Sequence, residues 1–305
     1  MFLVSFIDKS YGQNSIDSFT IYGDVKVTID KVLNDSMQTI IILYALPNGN
    51  TTEQTMGKKL QANDDWHFDI QHIKAQTAFL REKLKKKNIA VVYLENDFRS
   101  WPLWKQKHTA YQQMIPHIVD TIFSLFRSNH NLIYLNGHSG GGSFIFGYIE
   151  GIKEIPSYIS RINFLDSNYG YDSSYYPKFK KWLGLKNTCL TVFAYNDSVA
   201  VYNDKPVVSE KGGTWYRSHL MLQHLQKDFK FEKVKNDSLM FLQTKNKKIG
   251  FFLKDNLERK IFHTQQVELN GFIHSILYGT EKENEGYEYF GRRAYSKFIV
   301  SLSAQ

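Results

Sequence analysis

Cysteine is nearly absent: Cys189 stands alone among 305 residues, so no intrachain disulfide can form and no cysteine-based metal site can be assembled. That scarcity does not fix the compartment, because secreted chains also do without disulfides. No apolar run approaches the roughly 18 residues that a membrane-spanning helix needs. The apolar start, Met1 to Ile7, is short, lacks a basic flank and meets Asp8 and Lys9 at once, so it makes no convincing signal peptide. Localisation stays unassigned, and secretion with a leader missing from this sequence is left open. There is no internal repeat, low-complexity tract, zinc-finger spacing, RNP-like segment or long basic arm, and nucleic acid is therefore not the expected partner.

What is present is an ordinary globular mixture, 42% apolar and 22% charged, long enough to bury a large core. We expect one domain over residues 1–305. The 38 Lys and Arg against 30 Asp and Glu leave a formal charge of +8, spread in short clusters such as Lys83, Lys85, Lys86 and Lys87 that suit solvated helix faces. The resulting field is mildly attractive to anionic substrates.

Periodicity predicts an α/β chain with a mostly parallel central sheet flanked by helices. Ser18 to Gly23 and Val25 to Asp30 alternate like half-buried strands, while Thr39 to Leu46, Ile89 to Leu94 and Leu132 to Leu135 are continuous apolar runs typical of buried strands. Helices are predicted between them, over Asp69 to Lys87 and Met114 to Arg127. The alternation goes on with helix Ser143 to Ile152, strand Ile162 to Leu165, helix Lys178 to Leu183 and strand Leu190 to Tyr195, the rhythm of right-handed crossovers. It breaks over residues 200 to about 246, which read as an inserted lid or cap with one helix near Ser218 to Leu225. His263 to Leu269 is taken as the last strand.

Gly137-His138-Ser139-Gly140-Gly141 fits Gly-x-Ser-x-Gly and falls between a predicted buried strand and a predicted helix. A serine hydroxyl on such a corner is held exposed at the carboxyl edge of the sheet, and the helix start aims N–H groups at developing negative charge. Taken alone, the same glycines would serve equally as a turn capping a helix. In this context the chain resembles the α/β-hydrolase superfamily from about Thr39 to Leu277. Leu46 to Thr51, Phe164 to Tyr169 and Gly213 to His219 are similar to segments of a poorly characterised bacterial branch.

The resemblance implies a nucleophile, an acid and a histidine in that order, each after a strand: Ser139, Asp197 and His274, with Asp166, one strand earlier, as the alternative acid. His274 is preferred as base because Gly271 to Ser275 follows the supposed last strand. His138 is read as a neighbour shaping the corner, and His108, His117, His130 and His224 as surface or helix residues. For the oxyanion hole the resemblance implies the Gly140 N–H and one from Asn48, Gly49 or Asn50. Arg99 and Trp101, and Trp215 and Arg217 in the inserted segment, are candidate substrate contacts, with loop packing an equal reading for each. His67 and His72, five apart, fall on different helical faces, so no metal site is expected, nor any cofactor.

The expected activity is hydrolysis of a small-molecule or carbohydrate-linked ester through an acyl-enzyme. A peptidase or amidase on the same scaffold, or a binding protein that keeps the hydrolase fold, are the alternatives. Oligomeric state is not readable from the sequence.

Overall fold

The computed structural model describes residues 15–34, 36–126, 130–236 and 239–300. The apolar start Met1 to Ile7 lies outside the described residues, as does Arg127, the end foreseen for the second helix. In chain order the elements are β1 (Ser15–Ile21), β2 (Val25–Val32), β3 (Thr39–Ala45), α1 (Thr52–Met56), α2 (Ile73–Lys83), β4 (Asn88–Asn96), α3 (Trp101–Lys107), α4 (Tyr111–Ser124), β5 (Leu132–His138), α5 (Gly142–Gly151), β6 (Ile159–Leu165), α6 (Tyr176–Leu183) and β7 (Cys189–Tyr195). A two-residue hairpin follows, β8 (Val201–Tyr202) with β9 (Lys205–Pro206). Then come α7 (Thr214–Leu225), β10 (Phe231–Asn236), β11 (Leu239–Thr244), β12 (Ile249–Lys254), α8 (Gln265–Glu268) and α9 (Gly271–Leu277).

Ten strands form one sheet in the order β1-β2-β4-β3-β5-β6-β7-β12-β11-β10. From β4 to β12 every neighbouring pair is parallel, and antiparallel strands finish both edges. Strand β3 shows why the central runs are apolar throughout. Ile41, Leu43 and Ala45 join a core under α3 to α7, whereas Ile40, Ile42 and Tyr44 join a second core under α2 and α9. A strand covered on both faces favours apolar side chains at nearly every position.

Three sequence expectations change. Helix α2 starts at Ile73 rather than Asp69, because His72 sits in the left-handed region at φ 47° and cannot continue a helix through it. The strand foreseen at His263 to Leu269 is instead a turn and the short α8. The last strand is β12, fully buried and parallel to β7.

The supposed insertion is mostly scaffold. Helix α7 buries Met221, Leu222 and Leu225 in the main core as the crossover out of β7, and β10 and β11 extend the sheet. Only residues 200–213, with the small hairpin, stand apart from these layers.

Candidate active site

Strand β5 ends at His138 and α5 begins at Gly142, with a single tight turn, Ser139–Gly141, between them. Ser139 is thereby held at φ 53°, a left-handed conformation costing an L-residue about 1–2 kcal/mol. The turn is possible because its glycines admit close neighbours. A methyl group on Gly140 would strike the Asn48 side-chain amide, and one on Gly141 would strike the Ala45 carbonyl oxygen.

Asn48 therefore lies over Gly140, and both line a cavity of about 490 Å³ together with Ser139. The rest of the loop after β3 is committed elsewhere. Gly49 donates its N–H to the Arg99 carbonyl at 2.8 Å, and the Asn50 N–H reaches the Pro47 carbonyl at 3.5 Å. Of the three loop residues considered for the oxyanion hole, Asn48 is the one placed on the cavity wall.

The histidine brought to this edge of the sheet is His263, in the loop after β12. Its Nδ1 donates to Asp166 Oδ2 at 2.5 Å, and the Asp166 side chain is fully buried at the end of β6. The His263 ring lies 4.5 Å from that of His138, and His138 Nε2 donates to the His263 carbonyl at 3.2 Å. Tyr169 stands edge-on to His263 at 6.4 Å and lines the Ser139 cavity. Ser167, next to Asp166, donates to the Gly137 carbonyl at 2.8 Å, which ties the β6 loop to the corner carrying Ser139. Burial, and then the nearby His263, hold His138 well below the usual histidine range, so it adds no charge beside that ring.

His274, expected as base, lies elsewhere. It sits on α9 in the second core, stacked on Tyr289 at 5.5 Å and edge-on to Phe252 at 4.5 Å, with Nδ1 3.1 Å from the Tyr287 hydroxyl. It lines a separate cavity of about 440 Å³ that does not include Ser139. Burial first, then the Lys247 and Arg161 charges, push its pKa down to about 3.

Asp197, expected as acid, bonds no histidine among the described residues. It accepts from the Thr214 and Trp215 N–H groups at 2.7 and 3.3 Å, at the start of α7. The place of His274 follows from one difference in the strands. The sequence suggests a strand where His263 in fact lies in a loop, whereas Ile249-Gly-Phe-Phe-Leu253, an apolar run of strand length before a polar loop, carries the signal that locates the last strand.

The remaining candidates take structural positions. Arg99 is exposed, and its contribution is the carbonyl that holds Gly49. Trp101 is buried, packed 4.6 Å from Phe144, with Nε1 on the Leu94 carbonyl at 3.3 Å. Trp215 leans on the main core, and Arg217 Nη1 donates to the Tyr171 carbonyl at 3.0 Å; neither lines the Ser139 cavity. His67 and His72 pair with different carboxylates, Asp65 and Asp69. Also lining the cavity, Lys105 lies 3.2 Å from Glu150, which accepts from the Tyr175 hydroxyl, and Phe146 adds an apolar ring.

No protein-family model matches the sequence, and no curated protein matches it. Solved structures do resemble the fold. A protein designated FAE superposes with a TM-score of 0.52 at 10% identity, covering 92% of each chain. The siderophore hydrolase EstB from Aspergillus nidulans reaches 0.42 at 10% identity over 94% of this chain and 99% of its own. Poly(aspartic acid) hydrolase-1 from Sphingomonas sp. KT-1 reaches 0.42 at 13% identity over 71% and 86%. At these identities the likeness is one of fold and not of substrate. With a parallel sheet that turns from strand to helix at Ser139, the chain has the α/β-hydrolase fold.

Proposed function

We propose that the protein is a serine hydrolase acting on esters, with Ser139 as nucleophile, His263 as general base and Asp166 as the carboxylate that orients it. The observation that carries this reading is the 2.5 Å Asp166–His263 bond, set against the residue that precedes Ser139. Because Nδ1 is engaged by Asp166, the free ring atom of His263 is Nε2, the one available to take the Ser139 proton. Ser139 Oγ then attacks the ester carbonyl and the carbonyl oxygen becomes an oxyanion. His263 passes the proton to the departing alcohol, and water, deprotonated in turn by His263, releases the acid and regenerates Ser139.

The Gly140 N–H, in the turn before α5, and the N–H of Asn48, whose side chain lies against Gly140, are the proposed oxyanion donors, one such donor being worth about 3 kcal/mol of barrier. The cavity suits a substrate of modest size, with Phe146 and Tyr169 for apolar contact and the Lys105–Glu150–Tyr175 group for a polar end. Covalent labelling by a fluorophosphonate tests the assignment. Wild type should label, Ser139→Ala should not while keeping its circular dichroism, and labelling at another serine would overturn the reading.

A further inference from the structure

A buried aspartate follows each of two neighbouring strands, Asp166 after β6 and Asp197 after β7. Asp166 and Asp197 are buried, and one hydroxyl lies between them. Thr214 Oγ1 donates to Asp166 Oδ1 in a very short bond and stands 3.2 Å from Asp197 Oδ2. The hydroxyl carries one proton, so it cannot donate to both carboxylates at once. Asp197 is meanwhile seated at the start of the 12-residue α7, where it accepts the Thr214 and Trp215 N–H groups and where Gly213 leaves room for no side chain against it.

The titratable groups facing this pair are Tyr195 at the end of β7, Tyr169 in the β6 loop and His263 in the β12 loop. No ion pair to lysine or arginine engages either carboxylate among the described residues. Burial and the neighbouring Asp166 push Asp197 up to about 6, near the range where a histidine titrates.

We propose that Asp197 is a positioning residue that acts on His263 through Thr214 and Asp166. When ionised it places a second negative charge behind Asp166 and makes His263 a stronger base; when protonated it donates to Thr214 Oγ1, whose own proton is then committed to Asp166. The relay runs Asp197, Thr214, Asp166, His263. The inference rests on the reading of Ser139, His263 and Asp166 given above.

The pH dependence of kcat/KM for a neutral ester tests it. The acid limb of the wild type should be shallower than a single protonation, because protonating Asp197 removes the charge that favours protonated His263. Asp197→Asn keeps an acceptor oxygen for α7 but removes the charge. It should give a one-proton limb displaced to lower pH by about half a unit to one unit, with activity at pH 8 reduced by about twofold to tenfold through the weaker base. Thr214→Val should lower kcat with little change in KM, and Thr214→Ser, which restores the hydroxyl, should recover it.

A Asp197→Asn profile that is merely scaled, with slope and midpoint as in the wild type, would reduce Asp197 to a helix cap and overturn the proposal. So would a Thr214→Val enzyme as active as Thr214→Ser. Should Asp197→Asn not fold, the threonine pair decides alone. If instead Asp166→Asn and His263→Ala retain wild-type turnover, it is the site assignment that fails.

Discussion

The two histidines near the chain's carboxyl end, His263 and His274, are eleven positions apart in sequence and occupy opposite environments. His263 lies on a loop at the carboxyl edge of the sheet, partly exposed and bonded to a buried carboxylate. His274 is inside α9, enclosed by Phe252, Tyr287 and Tyr289, with its Nε2 buried and without a hydrogen-bond partner among the described residues. An imidazole works as a base where a carboxylate can stabilise its charged form and a substrate can reach it. Among aromatic rings the same group is held neutral and fills space. Neighbouring elements, not residue type, separate the two.

That contrast is most easily broken by substitution at each histidine. His263→Ala should lower turnover of an activated aryl ester by about 10³-fold. His274→Phe should leave it within about threefold, as expected for a distant, independent site. Comparable losses in both variants, measured under conditions where both are folded, would erase the distinction.

Acid stability gives the next largest effect. His274 titrates near 3 when folded and near 6.5 when unfolded, so between these values the unfolded chain binds the extra proton and stability falls as pH drops. At about 1.4 kcal/mol per unit, the full window amounts to at most about 5 kcal/mol. Urea titrations from pH 7 to pH 4 should therefore show a steeper loss for wild type than for His274→Phe, and parallel curves would remove His274 as an acid-sensitive site.

The smallest effect concerns the region once expected to be a lid. Since Arg217 bonds the Tyr171 carbonyl and does not line the cavity, Arg217→Ala should change KM equally for anionic and neutral esters of the same size. A selective rise for anionic esters would bring Arg217 back as a substrate contact.

The parts of the site legible in the sequence were the local ones. Ser139, Gly140 and the loop Asn48 to Asn50 belong to short segments that adjacent strands and turns mark as site candidates, and the buried strands before them announce themselves as apolar runs; that Asn48 rather than Gly49 or Asn50 lines the cavity came only from the structure. Asp166 and Asp197 were both recognisable as acids after strands. Choosing between them was not possible locally, since either could cap a turn and the choice turns on which loop His263 approaches. The strand expected at His263 to Leu269 is what directed attention to His274 instead of His263. Its text, with two glutamines and a glutamate around Val267, suits the short α8 and hides the fact that the sheet had already closed at β12.

By itself the sequence determined the parallel α/β layering and the corner that exposes Ser139, because hydrophobic period and glycine placement act over a few residues. Tertiary structure alone decided which histidine meets which carboxylate. Asp166 and His263 are 97 positions apart, and their contact exists only because β6, β7 and β12 lie side by side and end at the same edge of the sheet. No local pattern encodes that adjacency; it arises from burying both faces of the sheet at once.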